Sequence, residues 1–88
     1  MRLADSNSIF EHEEKFEILS LQGTLSPDGA HLHISASDKD GKVWGGHLVD
    51  GCLIYTTAEI LIAELTDYQF SRVQDKQTGF AELLIRPT

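Results

Sequence analysis

A single cysteine stands in this chain of 88 residues, so no intrachain disulfide framework is available. A reducing, cytoplasmic compartment fits that usage. Basic residues are also few: 7 Lys+Arg against 14 Asp+Glu give a formal charge of −7. Non-specific nucleic-acid binding needs a positive footprint, and this balance argues against one. No apolar run approaches the roughly 18–20 residues of a membrane-spanning helix. The longest, residues 52–65, is interrupted by Thr56, Thr57, Glu59 and Glu64. Met1-Arg2-Leu3-Ala4-Asp5 turns polar before any apolar core, unlike a secretory signal. What remains is an ordinary globular composition, 41% hydrophobic and 24% charged. It excludes disordered, collagen-like and histone-like chains. The length fits one small domain, residues 1–88, whose own core is marginal because it buries only about 60–65% of the unfolded surface. Without disulfides, a structural metal or an oligomer interface is the usual substitute.

Period-2 patterning dominates and helical periodicity is almost absent. Residues 16–25 read as a strand with apolar residues on both faces. Ser26-Pro27-Asp28-Gly29 reads as a turn, since Pro presets φ and Gly accepts positive φ. A strand over residues 30–37 leads into the hairpin signal Asp38-Lys39-Asp40-Gly41-Lys42, and residues 43–48 return as its partner. After the turn Val49-Asp50-Gly51, residues 52–65 read as a strand, apolar on both faces and therefore central or buried against a second subunit. A helix over residues 58–65 is the lesser alternative, because Ile60 and Ile62 are stiff at χ1. Residues 68–73 and 81–86 are two further strands, while residues 5–15 are polar and carry little signal.

Three of the four histidines are placed together by this pattern. His31 and His33 lie two apart on one strand, so both rings take one face, with Ser35 and Ser37. With a loop of Lys39-Asp40-Gly41, Asp38 pairs with Lys42, and counting outward sets His33 opposite His47. Opposed side chains have Cβ atoms only about 4.5–5.5 Å apart. Three imidazoles then form the ligand set of an open tetrahedral zinc site. The alternative, histidines that only hydrogen-bond on a polar sheet face, stays open. His12, within Glu11-His12-Glu13-Glu14, reads as a solvated residue.

Several blocks resemble the plant-and-prokaryote conserved (PPC) domain in its bacterial and archaeal form. They are Phe16-Glu17-Ile18-Leu19-Ser20-Leu21 followed by Gly23-Thr24-Leu25-Ser26, His31-Leu32-His33, Gly45-Gly46-His47-Leu48, Gly51-Cys52 and Thr57-Ala58-Glu59-Ile60. A weaker block joins Phe70 and Arg72 with Thr78-Gly79-Phe80 and Glu82-Leu83. The resemblance implies a mixed α/β (α+β) fold with a mainly antiparallel sheet, assembled as a homotrimer; in this chain the residues are mostly strand. Prokaryotic members are commonly described as DNA-binding proteins. The implied fold is also similar to that of acetolactate decarboxylase, a zinc enzyme with a comparable His-x-His plus His set, which here maps onto His31, His33 and His47. Two features depart from the family pattern. The family's usual N-terminal segment, which contains a helix, is expected to be missing from residues 1–88. The Arg-Gly-Arg-Pro hook of plant relatives is also absent, and Arg2, Arg72 and Arg86 are scattered.

Glu59 is the candidate general base or imidazole-orienting carboxylate, against a structural carboxylate. Arg72 is an anion-binding candidate, against a surface arginine. Cys52 is a fourth-ligand candidate, against a small buried hydrophobe. Gly45-Gly46 lacks the Lys-Ser/Thr of a phosphate loop and reads as a bulge or a close backbone contact. Trp44 packs at an interface or covers the sheet. Two functions follow as expectations. One is a trimeric zinc-binding module for protein or DNA recognition. The other is a zinc-dependent, decarboxylase-like enzyme acting on a small keto or hydroxy acid.

Overall fold

The computed structural model describes Met1 and residues 13–88. His12, Arg2 and most of the polar stretch over residues 5–15 lie outside the described residues. Among those described there are five strands and no helix: β1 (Glu17–Ser26), β2 (Gly29–Ser37), β3 (Val43–His47), β4 (Tyr68–Gln74) and β5 (Ala81–Pro87). They form a three-stranded sheet in the order β1-β2-β3 and a two-stranded sheet of β4 and β5. The fold is mainly antiparallel β, and the helix implied by the α/β resemblance has no counterpart among the described residues. Consequently none of them forms a helix long and apolar enough to cross a membrane.

The chain divides into two compact units, Met1–Gly23 with His31–Glu59, and Thr24–Ala30 with Ile60–Thr88. In the first, β2 and β3 pair antiparallel with Ala36 opposite Trp44 and His33 opposite His47. Alternation sends Leu32, Ile34 and Ala36 to one face and the histidines and serines to the other. Ala36, 5% exposed, is the one buried apolar residue among those described. The sheet therefore has a thin core.

The β2–β3 turn is held by Asp38. Its Oδ1 accepts from the amides of Asp40 and Lys42, each at 2.9 Å. The Asp38 amide donates to the Lys42 carbonyl at 2.9 Å, and the Gly41 amide returns to the Asp38 carbonyl at 3.1 Å. Gly41 sits at φ 82°, where a side chain is strained. The Trp44 indole reaches Asp38 Oδ2 at 3.4 Å, and Lys42 Nζ lies 4.2 Å from the Trp44 ring centroid. Trp44 thus covers the turn end of this sheet. Gly23 in β1 is needed for a different reason: a Cβ there would overlap the His31 carbonyl oxygen and meet the Leu32 Cα at 2.8 Å. Its absence lets β1 lie close to β2.

The second unit is built on β4 and β5, paired from Tyr68 opposite Pro87 to Gln74 opposite Ala81. Arg72 binds the tip of the β1–β2 hairpin. Its amide donates to Asp28 Oδ2 at 2.9 Å, and its guanidinium donates to Thr24 Oγ1 at 2.8 Å. The β4–β5 turn closes through Asp75, whose Oδ1 accepts from the Gln77 amide at 2.7 Å.

Residues 52–65 correct the sequence expectation. They form neither a strand nor the alternative helix. Alternating apolar residues favour a strand only where a second strand completes the ladder, and no strand among those described pairs with this segment. Its large side chains stay exposed: Leu53 is 93% accessible and Leu61 97%.

Candidate metal centre

The β2–β3 ladder does most of the work of building the site. His31 and His33 project to one face from alternate positions of β2. His47 is the Cα partner of His33. Beyond it, the Leu48 amide donates to the Leu32 carbonyl at 2.8 Å, so the pairing continues past the site. The three ring centroids stand 5.2, 4.8 and 5.6 Å apart. The rings meet edge to face, with interplanar angles of 66°, 78° and 70°.

One nitrogen from each of the three imidazoles lies within 4.8 Å of the other two. Nitrogens bound to one tetrahedral zinc at about 2.0–2.1 Å would stand about 3.3 Å apart. The rings would therefore close by no more than about 1.5 Å, which side-chain rotation supplies without moving the ladder. His31 and His47 are half-buried and His33 is exposed. The residues present fit a zinc ion, and the donor set is three neutral nitrogens, the kind preferred by zinc over calcium or magnesium.

The other sequence candidates fall elsewhere. Glu59 is exposed in a stretch without regular structure and is not in the cluster. Cys52, expected to be small and buried, is an exposed free thiol, because residues 52–65 form no buried strand; it too is outside the cluster. Arg72 is half-buried and hydrogen-bonded within the second unit. Gly45 and Gly46 sit in an unbroken ladder opposite Ser35 and Ile34. A Cβ on Gly45 would come 3.2 Å from the Ile34 carbonyl oxygen, so the close-contact reading holds and there is no bulge.

Sequence reasoning missed one neighbour of the histidines. Ser20 Oγ and Ser35 Oγ are hydrogen-bonded at 2.7 Å. Ser35 lies two residues beyond His33, on the same face of β2. The signal was available in the two-residue connection between β1 and β2: counting outward from Pro27 and Asp28 sets Ser20 opposite Ser35.

Comparison with known proteins adds a family. The profile described as the Plants and Prokaryotes Conserved (PCC) domain matches residues 2–66, which include the three histidines. Two curated relatives are each called "Bifunctional protein GlmU". That of Synechococcus sp. (strain JA-2-3B'a(2-13)) is 53% identical over 87 residues, covering 99% of this chain. That of Synechococcus sp. (strain JA-3-3Ab) is 53% identical over 85 residues, covering 97% of this chain. The chain spans only 14% of the length of either relative.

Proposed function

The chain belongs to the Plants and Prokaryotes Conserved domain family, and from that premise we propose that it is a zinc-binding module that assembles with copies of itself to recognise another molecule. The observation that carries this reading is the convergence of His31, His33 and His47, with ligand nitrogens within 4.8 Å of one another. Bound there, zinc would supply a Lewis-acidic position open to a fourth ligand. The chain's own contribution is to hold three imidazoles on a hydrogen-bonded ladder, so little ordering remains when the ion enters.

Assembly with copies of itself is supported by the thin core and by the exposed leucines and isoleucines of residues 52–65; the homotrimer is what the family resemblance implies. Surfaces of that kind are covered by partners rather than left in water. A modular role is supported by the relatives, in which a stretch like this chain occupies 14% of a much longer protein. Recognition of protein or of a small ligand fits better than recognition of DNA. A net charge of −7 repels phosphate, and DNA binding would require its few basic residues to be sharply segregated. The enzymatic alternative, a zinc-dependent reaction on a small keto or hydroxy acid, needs a proton donor or acceptor at the metal. Glu59 was its candidate and lies outside the cluster, which favours binding over catalysis.

Elemental analysis after zinc loading and desalting tests the reading. One zinc per chain is expected for the unsubstituted protein. Almost none is expected for His33→Ala, since two imidazoles rarely retain zinc. Stoichiometric zinc in His33→Ala would overturn it.

A further inference from the structure

Asp-Gly occurs three times in the chain, at Asp28-Gly29, Asp40-Gly41 and Asp50-Gly51. The pair is chemically labile, because glycine has no Cβ to shield its backbone nitrogen from the carboxyl group before it. All three aspartates are exposed, and a Cβ on any of the three glycines would meet nothing within 4 Å. Crowding therefore does not separate the sites, but hydrogen bonding does. Asp28 Oδ2 accepts from the Arg72 amide at 2.9 Å, and the Asp28 amide donates to Ser26 Oγ at 3.1 Å. Gly29 is already the first residue of β2. In the next hairpin the Asp40 amide donates to Asp38 Oδ1 at 2.9 Å. The Gly41 amide donates to the Asp38 carbonyl at 3.1 Å, so that nitrogen is committed. Asp50 and Gly51 lie in the turn after β3. Neither the Asp50 carboxylate nor the Gly51 amide is hydrogen-bonded to another described residue.

We propose that Asp50-Gly51 is a site of spontaneous backbone modification, at which Asp50 becomes isoaspartate and the chain becomes a substrate for a carboxyl methyltransferase that recognises that residue. The Gly51 nitrogen attacks Cγ of the protonated Asp50 carboxyl group. The C–N bond forms, the C–O bond breaks, and the amide proton leaves with the hydroxyl as water. Water then opens the cyclic imide. Breaking the new C–N bond returns aspartate. Breaking the original peptide C–N bond instead leaves the chain running through Cβ and Cγ, with a free α-carboxylate. That carboxylate accepts a methyl group from S-adenosylmethionine, whose sulfonium is the leaving group. The rerouted backbone is longer by a methylene, inserted between β3, which ends at His47, and the exposed apolar residues that follow Cys52. Modification thus changes how that segment is joined to the histidine ladder, and it proceeds with or without a metal.

The test ages the full chain for weeks in neutral buffer, folded in one arm and in concentrated urea in the other. Electron-transfer fragmentation of its peptides then locates and quantifies isoaspartate at the three sites. In the folded chain Asp50 should exceed Asp28 and Asp40 by about three- to tenfold, the worth of one hydrogen bond kept in place at each protected site. In urea, where those bonds are lost, the three sites should react alike. Methyl acceptance from tritiated S-adenosylmethionine, catalysed by an isoaspartyl methyltransferase, gives a second readout on the aged folded chain. Asp50→Glu keeps the charge but makes ring closure unfavourable, and it should remove most of that label; circular dichroism checks that its strands are intact. Equal isoaspartate at the three sites in the folded chain overturns the proposal. So does an excess at Asp50 that persists in urea, or methyl acceptance unchanged in a folded Asp50→Glu chain.

Discussion

Replacing Leu53 and Leu61 by serine should break the chain's assembly while leaving its strands intact. Leu53 is 93% exposed and Leu61 97%, and neither belongs to a strand. Nearly the whole of each side chain is therefore available to a partner. Burying one leucine fully is worth about 1.5–3 kcal/mol. Losing both removes about 3–6 kcal/mol per chain if both are covered on assembly, or roughly 10²- to 10⁴-fold in the dissociation constant. Sedimentation velocity at micromolar concentration provides the assay. The unsubstituted chain should run as an oligomer, with a trimer expected, and Leu53→Ser/Leu61→Ser should shift it towards the 9.8 kDa monomer. Circular dichroism should show the same strand content in both. A folded, monomeric unsubstituted chain would refute the reasoning, as would an oligomer indifferent to the two substitutions.

Acid should loosen the β2–β3 turn. Desolvation raises the Asp38 carboxyl, but the Lys42 and Asp40 amides, the Trp44 indole and the Lys42 charge outweigh it and hold the group below its ordinary value of 3.8. A depressed carboxylate stabilises the fold above its unfolded value, and that contribution is lost as pH falls through the folded one. Unfolding followed by the fluorescence of Trp44 should therefore lose stability below about pH 4, and Asp38→Asn should remove that part of the pH dependence. Gly23→Ala should cost about 1–3 kcal/mol, because its methyl group meets the His31 backbone, and should weaken zinc binding with it; an unchanged melting temperature would contradict the packing argument. Duplex DNA should bind no better than non-specific levels, weaker than about 10⁻⁴–10⁻⁶ M at physiological salt. Submicromolar anisotropy titrations that fade steeply with added salt would contradict the charge argument.

The histidine site was legible because it depends on local rules. A three-residue turn around Gly41 fixes the register, and the register alone sets His33 against His47. The same logic would have found Ser20 opposite Ser35 from the turn at Pro27 and Asp28, had it been carried back along β1. Arg72 was harder to read. Its partners Thr24 and Asp28 lie 48 and 44 residues away in sequence, and no local pattern encodes that meeting. Residues 52–65 were misread for a physical reason. Two apolar faces tell that a segment wants covering on both sides, but not which chain supplies the cover. Local pattern counts strand propensity, whereas a strand exists only with its hydrogen-bonded neighbour.

X-ray absorption at the zinc edge of the zinc-loaded chain tests the central claim most directly. The account predicts one zinc per chain, with a nitrogen shell at roughly 2.0–2.1 Å and the outer-shell scattering of three imidazoles, reduced in His31→Ala, His33→Ala and His47→Ala alike. A sulfur shell at roughly 2.3 Å, pointing to Cys52, or an oxygen-only shell indifferent to the three histidines, would contradict it.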